Sequence, residues 1–444
     1  MQAPSWLTAQ LLVSIGMLLI MVHVVLIGVA YSVYLERKIS AYIQDRIGPN
    51  RVGFDFGLPA LSGLKGMLGL GQPLADGIKF MLKEDFTPNK VDKILFTLAP
   101  AIVVVPALIG FIVIPWGGMV DVPTFTIPVL NMVIDGGPVH VTGANISVGF
   151  VYLLAVASLG VYGVTLGGWA SNNKFSFLGG LRATAQMISY EIPMGMALLA
   201  VLLIVGTFMP EGIIRYQTTH GWLIFSQPLA AVIFYISALA EANRAPFDNA
   251  EAEQELVGGY HTEYSSMRFA LYFLAEYAHL ITSSAFFVLL FMGGYSLRFL
   301  PFLPDLPGLS PDDTMWWAPF IKFGVFFTKV TIMVCFAMLV RWTIPRLRYD
   351  QVMMSAWQLV IPLGLALVVT ISAMVYFDLT GILPSLAANA ALVLLVLALA
   401  PLLPKSVGNR KIPMFGSRFN PTPGERIITS PQDSAAIADH PLAG

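Results

Sequence analysis

The stretch Glu241–Tyr277, EANRAPFDNAEAEQELVGGYHTEYSSMRFALYFLAEY, decides the fold. It joins two strongly apolar segments, Trp222–Ala240 and Met267–Met292, and holds seven of the chain's 26 acidic residues. Such like charges repel one another in water, so a basic face, bound cations or raised pKa values must relieve them. A solvated acidic loop is the simpler interpretation. We instead predict a packed loop that lines a cavity, because apolar and aromatic residues alternate with the acids. These residues are Pro246, Phe247, Leu256, Val257, Tyr260, Tyr264 and Met267.

The composition indicates a membrane protein. Of the 444 residues, 56% are hydrophobic and 11% are charged, whereas about 25% are charged in a typical soluble domain. A multi-span helical chain is the safe prediction. The net charge of −1 gives no sign of nucleic-acid binding. The single cysteine, Cys335, excludes an internal disulfide and a Cys-ligated iron–sulfur cluster held by this chain alone.

No motif for a nucleotide cofactor or a metal is visible in the sequence. The chain has no complete Gly-x-Gly-x-x-Gly after a strand, no Walker loop and no HExxH. We therefore expect no nicotinamide, flavin, ATP or metal site of these kinds.

Apolar segments of sufficient length predict an all-α integral membrane protein with about nine transmembrane helices. The spans lie near residues 11–33, 94–114, 146–170, 183–208, 222–240, 267–292, 315–340, 356–377 and 382–403. The membrane domain is thus 1–403, and the polar tail 404–444 is predicted to be disordered. Leu58–Leu70 is too short to span, so we predict an interfacial amphipathic helix there.

The distribution of Lys and Arg predicts the orientation. Alternate loops and the tail hold 21 of the 25 basic residues, while the loops on the other side hold only Arg215 and Arg298. The positive-inside rule then places the N-terminus outside and the C-terminus inside. The acidic loop is predicted to be cytoplasmic.

Three carboxylates, Glu191, Glu241 and Glu276, lie in or at the ends of predicted spans. A charge at bilayer depth costs at least a few kcal/mol, so such groups usually face a cavity or a partner. Each could be a packing residue bonded to a neighbouring helix, but three beside an acidic loop favour a proton path. Lys329 is a candidate partner for one of them, and Lys322 is expected to snorkel.

A group of charges marks the cytoplasmic end of the first span. Interfacial anchoring is one explanation for them, and balancing the acidic loop together with two later arginines is another. The residues are Glu36, Arg37, Lys38 and Arg46, with Arg244 and Arg268.

Several strings resemble the H-type membrane component of bacterial NADH–quinone oxidoreductase (respiratory complex I), the counterpart of mitochondrial NADH dehydrogenase subunit 1. They are LERK (35–38), DRIGPNRVG (45–53), PLADGIKFMLKED (73–85), LRATAQMISYEIP (181–193) and the acidic stretch itself. The resemblance covers roughly residues 10–380. The ninth span and the tail match less closely, and some members of that family stop after eight spans.

The resemblance implies a component that forms the quinone access tunnel and the first part of the proton path. NADH, flavin and iron–sulfur chemistry then belong to hydrophilic partner subunits, small membrane subunits are further partners, and ubiquinone or menaquinone is the substrate. The chain itself would hold no flavin, iron–sulfur cluster or haem, and would lie in the bacterial plasma (inner) membrane in contact with lipid. The implied proton-path residues are Glu191, Glu241, Asp248, Glu251, Glu253, Glu263 and Glu276. The implied residues of the quinone tunnel and its mouth are Arg37, Arg46, Asp76, Phe247, Tyr260 and Arg268.

Three alternatives remain open from the sequence. The equivalent component of a membrane-bound hydrogenase or formate hydrogenlyase has a similar acidic loop. A stand-alone ion transporter would be expected to show an internal repeat with paired broken helices, and none is found. A haem-b carrier needs paired axial histidines within spans, for which only His23 and His279 are candidates.

Overall fold

The computed structural model of the chain describes residues 8–55, 63–127, 132–300 and 306–399. Contacts divide the chain into a unit Met1–Val393 and a second unit from Leu394. Of the second unit only residues 394–399 are described, and they are helical. The predicted tail 404–444 lies outside the described residues.

The helices are, in chain order, α1 (Ala9–Ile43), α2 (Gln72–Leu82), α3 (Lys93–Ile109), α4 (Gly149–Ala170), α5 (Lys174–Val205), α6 (Pro210–His220), α7 (Leu223–Ser226), α8 (Pro228–Glu241), α9 (Glu253–Leu256), α10 (Ser266–Phe291), α11 (Ala318–Thr343), α12 (Tyr349–Ser355), α13 (Ile361–Tyr376) and α14 (Ile382–Leu399). A 3-10 turn extends α3 to Val113, and a π-helical turn, Ala356–Val360, joins α12 to α13.

The protein is an all-α integral membrane protein. Seven helices of the described residues are long and apolar enough to cross a bilayer: α1, α3 with its 3-10 extension, α4, α5, α10, α11 and the joined α12–α13. Two shorter apolar helices, α8 and α14, occupy the positions of the predicted fifth and ninth spans. The number of spans and their orientation stay predictions.

The first helix is longer than its apolar segment. It has 35 residues, or about 52 Å at 1.5 Å per residue, against a hydrocarbon core of about 30 Å. The sequence LERKISAYI continues the helix without a Gly or Pro to break it. Glu36 and Arg37 are therefore held on a rigid helix rather than on a loop.

The fifth apolar segment is interrupted. Gln227 has non-helical φ and ψ angles of −127° and 56°, and Pro228 begins α8. Pro has no N–H and fits the first turn of a helix. The helix α7 therefore ends at Ser226, and a new helix begins at Pro228. α8 consequently has 14 residues and ends at Glu241.

Among the described residues, four short strands lie between α3 and α4, outside the predicted spans. β1 (Met119–Val122) pairs antiparallel with β4 (Gly137–His140), and β2 (Phe125–Ile127) pairs with β3 (Met132–Ile134). Met119 is opposite His140 in the first pair, and Phe125 is opposite Ile134 in the second. Pro and Gly are frequent in this loop, so the sequence carries no clear strand signal here.

The predicted interfacial helix is displaced along the chain. Of Leu58–Leu70 the structure describes 63–70, which form 3-10 turns rather than an α-helix. Gly66, Leu68 and Gly69 all have positive φ angles (81°, 56° and 84°), which an α-helix cannot accommodate. The amphipathic helix is instead α2, whose described residues are all at least partly exposed.

Close packing of α3, α4 and α10 supports the cluster of carboxylates described below. A Cβ atom on Gly163 would lie 2.3 Å from Val103 on α3, and one on Gly167 would lie 2.0 Å from the Tyr272 hydroxyl on α10. Gly163 and Gly167, spaced as Gly-x-x-x-Gly, thus form a small-residue packing face on α4.

Candidate functional site

The acidic stretch is a packed loop, as predicted. Phe247, Leu256, Tyr260 and Tyr264 are buried, and only Val257 and Met267 of the interleaved residues are strongly exposed. The aromatic ring of Tyr264 stacks on Phe96 of α3 with 4.1 Å between ring centroids. Apolar anchors thus fix the positions of the carboxylates between them.

The turn after α8 is held by a buried glutamine of α5. Gln186 is fully buried and its Nε2 donates to the carbonyls of Ala240 and Phe247 at 2.8 and 2.7 Å, with Asn243 Oδ1 at 3.2 Å. On the other side, Leu347 N–H donates to Pro246 O at 3.1 Å. These contacts fix the backbone that carries Arg244 and Asp248.

Arg244 is the buried cation of this turn. Its Nη1 lies 3.2 Å from Glu36 Oε2 on α1, and its Nη2 lies 3.9 Å from Glu276 Oε2 on α10. The guanidinium carbon is 3.9 Å from the ring centroid of Tyr277, whose hydroxyl donates to Glu36 Oε2 at 2.6 Å. Arg341 of α11 donates to the other oxygen of Glu36. Two arginines and a tyrosine thereby satisfy one buried carboxylate, as a buried charge requires.

Glu251 and Glu276 share a tyrosine. The Tyr260 hydroxyl lies 3.3 Å from Glu276 Oε1 and 3.5 Å from Glu251 Oε1, and His261 Nε2 lies 3.1 Å from Glu251 Oε1. Arg346 contacts Asp248, with 3.4 Å between Nη2 and Oδ2. The structure thus brings Asp248, Glu251 and Glu276 into one group of charged side chains around Arg244.

The loop acids have divergent pKa values. Burial and repulsion from Glu251 raise the pKa of Asp248 to about 7, although Arg346 opposes this. Burial also opposes ionisation of Glu251, but hydrogen bonds with His261 and Glu276 and the charge of Arg244 outweigh it and lower the pKa to about 2. Burial and the two adjacent carboxylates raise the pKa of the Tyr260 hydroxyl well above its usual value. Glu251 is therefore ionised at neutral pH, while Asp248 is close to its titration point.

A small internal cavity separates Glu276 from Glu241. Its volume is about 40 Å³, and its polar lining consists of Glu241, Asn243, Tyr260, Glu276 and His279. His279 Nε2 lies 3.7 Å from Glu241 Oε1. A polar space of this size can hold water.

Glu191 lies on α5, and Ser158 of α4 donates a hydrogen bond to its Oε1. Glu241 is buried at the end of α8, a helix that packs on α5. Glu276 and Glu241 thus line one cavity, and Glu191 lies on α5, which packs against α8.

A larger cavity of about 370 Å³ lies between α1, α2 and α10. Its walls are mostly apolar and include Leu26, Val33, Phe80, Phe269 and Phe273. Arg37 and Asp76 also line it and form an ion pair of 2.6 Å. An apolar chamber with a few charged groups is typical of a site for an amphipathic small molecule.

The sequence profile of the family described as NADH dehydrogenase matches residues 16–372. The chain belongs to this family.

Curated relatives of this NADH dehydrogenase family member are bacterial proteins, each named as an H-type component of NADH-quinone oxidoreductase. The one numbered 1 from Cytophaga hutchinsonii is 44% identical over 335 residues, which are 76% of this chain and 88% of the relative. The relative from Protochlamydia amoebophila is 45% identical over 336 residues (76% and 89%). The one numbered 2 from Koribacter versatilis is 42% identical over 363 residues (80% and 95%).

The candidate site residues of this NADH dehydrogenase family member fall into two groups. Glu191, Glu241, Asp248, Glu251 and Glu276 belong to the connected set of carboxylates, whereas two further predicted acids lie apart from it. Glu253 is exposed on α9, and Glu263 accepts a hydrogen bond from Asn173 Nδ2 at 2.6 Å.

Of the residues predicted for the quinone tunnel, Arg37 and Asp76 line the larger cavity. The other four lie elsewhere. Arg46 bonds to Gln44 in the turn after α1, Phe247 packs on Tyr190, and Tyr260 lies among the carboxylates. Arg268 is 3.4 Å from Asp85, at the end of the segment before α3.

Two lysines differ from expectation because backbone carbonyls are their partners. Lys329 Nζ donates to the carbonyls of Met292, Gly294 and Ser296 at 2.7, 2.9 and 2.6 Å, rather than pairing with a spanning glutamate. Lys322 is fully buried and donates to Asp313 O at 2.9 Å, so it does not snorkel.

Sequence reasoning missed several residues of the cluster. They are Gln186, His261, Tyr277, His279, Arg341 and Arg346. Gln186, His261 and Tyr277 lie in the family-like strings quoted above, and His279 was considered there only as a haem ligand. The spacing of His279, three residues after Glu276, is the signal that could have placed it beside that carboxylate.

Proposed function

We propose that this chain is the membrane subunit of a proton-translocating NADH–quinone oxidoreductase, which provides the quinone access path and the first part of the proton path. The observation that carries the proposal is the double role of α10. Phe269 and Phe273 line the larger cavity, while Glu276 and His279 of the same helix line the smaller one. A change at the quinone is therefore only one or two helical turns from the carboxylates.

The larger cavity suits a quinone. A quinone has a polar ring on an isoprenoid chain, and pockets for ligands of this size measure about 300–1,000 Å³. The apolar walls between α1, α2 and α10 would hold the chain, and the Arg37–Asp76 ion pair would contact the ring as it passes. Ubiquinone and menaquinone share these features.

The carboxylates suit a proton path that begins beside this cavity. Arg37, which lines the cavity, directly follows Glu36, which is bound by Arg244 and Arg341. Arg244 in turn neighbours Glu276. Reducing a quinone to a neutral quinol takes up two electrons and two protons. Protons drawn from groups beside the cavity would leave negative charge on those groups, and this charge would alter the field at the Arg244–Glu276 pair. From Glu276 the path would continue to Glu241 and Glu191.

The remaining chemistry would belong to partners. Hydrophilic subunits would oxidise NADH with flavin and iron–sulfur clusters and reduce the quinone at the end of the tunnel, and small membrane subunits would receive the protons from Glu191. The complex would lie in the bacterial plasma membrane, with the acidic loop in the cytoplasm. The names of the relatives, all NADH–quinone oxidoreductases, favour this enzyme over a hydrogenase.

The test is to fill the larger cavity. Ala270 lines it, so Ala270→Phe should block quinone entry and strongly lower NADH–quinone reductase activity in membranes. NADH oxidation by a hydrophilic artificial acceptor should persist, because that reaction does not need the tunnel.

Met267→Phe is the matched control, since Met267 lies on the same helix but is exposed. Activities are normalised to assembled complex. Full quinone reductase activity in assembled Ala270→Phe would refute a quinone path through this cavity.

A further inference from the structure

We propose that His279 is a proton-relay residue that carries protons between Glu276 and Glu241. This inference rests on the proposed proton path and adds a member to it. The imidazole would be the step at which the path passes from α10 to α8.

His279 is placed between the two carboxylates. It follows Glu276 by three residues on α10, and such residues are neighbours on one helix face. Its Nε2 lies 3.7 Å from Glu241 Oε1 on α8. The histidine therefore faces both carboxylates across a boundary between two helices.

The Nε2 atom has no hydrogen-bond partner among the described residues although it is buried. His23 on α1 is exposed, and its ring does have a partner, since Nδ1 lies 2.7 Å from Leu19 O. Leaving a buried polar atom without a partner costs about 1–3 kcal/mol. The cost is removed if the atom faces a water molecule or a mobile proton.

The space for such water exists. The 40 Å³ cavity is lined by Glu276, His279 and Glu241, with Asn243 and Tyr260 as further polar neighbours. One water needs about 10–15 Å³ of such space and two to four polar partners. Water in this cavity would connect Glu276 to the imidazole, while the 3.7 Å gap to Glu241 closes with a small side-chain movement.

The relay step conserves protons. Protonated Glu276 releases a proton through the cavity water to the imidazole, and Nε2–H passes a proton to the Glu241 carboxylate. Glu276 ends ionised, Glu241 ends protonated, and His279 returns to its neutral form. Arg244, 3.9 Å from Glu276, stabilises the carboxylate left behind.

The test compares His279→Gln and His279→Leu in membranes containing the assembled enzyme. Glutamine keeps hydrogen bonds but cannot accept and release a proton, and leucine removes both. Proton pumping and coupled quinone reduction should fall about tenfold or more in both, as for loss of a proton-transfer group. His23→Gln, a matched change on α1 outside the cavity, should be close to wild type.

A readout that a structural role does not change is the ratio of rates in H2O and D2O. That ratio should rise in His279→Gln, because a slowed proton transfer becomes rate-limiting. Wild-type rates and an unchanged H2O/D2O ratio in His279→Gln would overturn the proposal. This result decides even if His279→Leu does not assemble. An equal loss of rate in H2O and D2O would assign His279 to packing.

Glu241→Gln, measured alongside, separates this inference from the proposed function. If Glu241→Gln is impaired while His279→Gln is not, the path is real and bypasses the histidine. If both variants behave as wild type, the proton path itself fails.

Discussion

Gln186→Met is expected to loosen the turn that carries Arg244 and Asp248. Gln186 is fully buried, and its two N–H groups serve the carbonyls of Ala240 and Phe247 at 2.8 and 2.7 Å. Methionine has a similar shape and no donor. Each carbonyl keeps a backbone donor, Asn243 N–H for Ala240 O at 3.3 Å and Asn249 N–H for Phe247 O at 2.9 Å. The loss is therefore two net hydrogen bonds of about 0.5–1.5 kcal/mol each, or about 1–3 kcal/mol together.

This cost can be read from hydrogen exchange. The N–H of Arg244 bonds to Leu239 O and that of Phe247 to Arg244 O, so both amides exchange when the turn opens. Since 1.4 kcal/mol is a factor of ten, a loss of about 1–3 kcal/mol should speed their exchange by about five- to a hundredfold. Quinone reductase activity should fall as well, because Arg244 moves relative to Glu276.

The control is Gln10→Met, a glutamine at the opposite end of the molecule that bonds to Ser14 and His140. It should leave exchange in the turn unchanged. If Gln186→Met assembles and the Arg244 and Phe247 amides exchange less than about threefold faster, the reasoning that Gln186 positions this turn is refuted.

The contacts support three further predictions. Arg37→Ala should lower quinone reduction several-fold and spare NADH oxidation by a hydrophilic acceptor, whereas Arg46→Ala, away from the cavity, should be near wild type; equal effects would contradict the assignment of the cavity. Glu→Gln at Glu191 or Glu241 should lower proton pumping about tenfold or more in assembled complex, with Glu→Asp milder, and the reverse ranking would indicate packing. Burial and a neighbouring carboxylate raise the pKa of Asp248 to about 7 in the folded protein, against ~3.9 in the unfolded chain. The Tm of wild type relative to Asp248→Asn should therefore fall as the pH rises from about 5 to about 7 and then level off. A Tm difference that is constant with pH would contradict the raised pKa.

The sequence predicted helix positions well wherever an apolar run is long. α4 and α10 lie within a few residues of their predicted bounds, Ile146–Ala170 and Met267–Met292. It predicted less where local features compete with hydrophobicity. The break at Gln227–Pro228 shortens α8, and the start of α5 at Lys174 depends on capping by the Asn173 side chain.

Part of the candidate site could likewise be predicted from the sequence, and part could not. The sequence by itself determined that this is an all-α membrane protein of the NADH dehydrogenase family. It also predicted that the acidic loop is packed against the protein rather than solvent-exposed. Hydropathy, charge bias and motifs are local properties of the chain, so they can be read in one dimension.

Only the tertiary structure decided which charges meet. Glu36 and Arg341 are 305 residues apart and form an ion pair, and Gln186 reaches a turn 61 residues away at Phe247. Buried charges take the partners that the packed helices bring within about 4 Å, because an unpaired one is too costly in a medium of low dielectric. That choice depends on helix rotation and crossing, which no local pattern encodes.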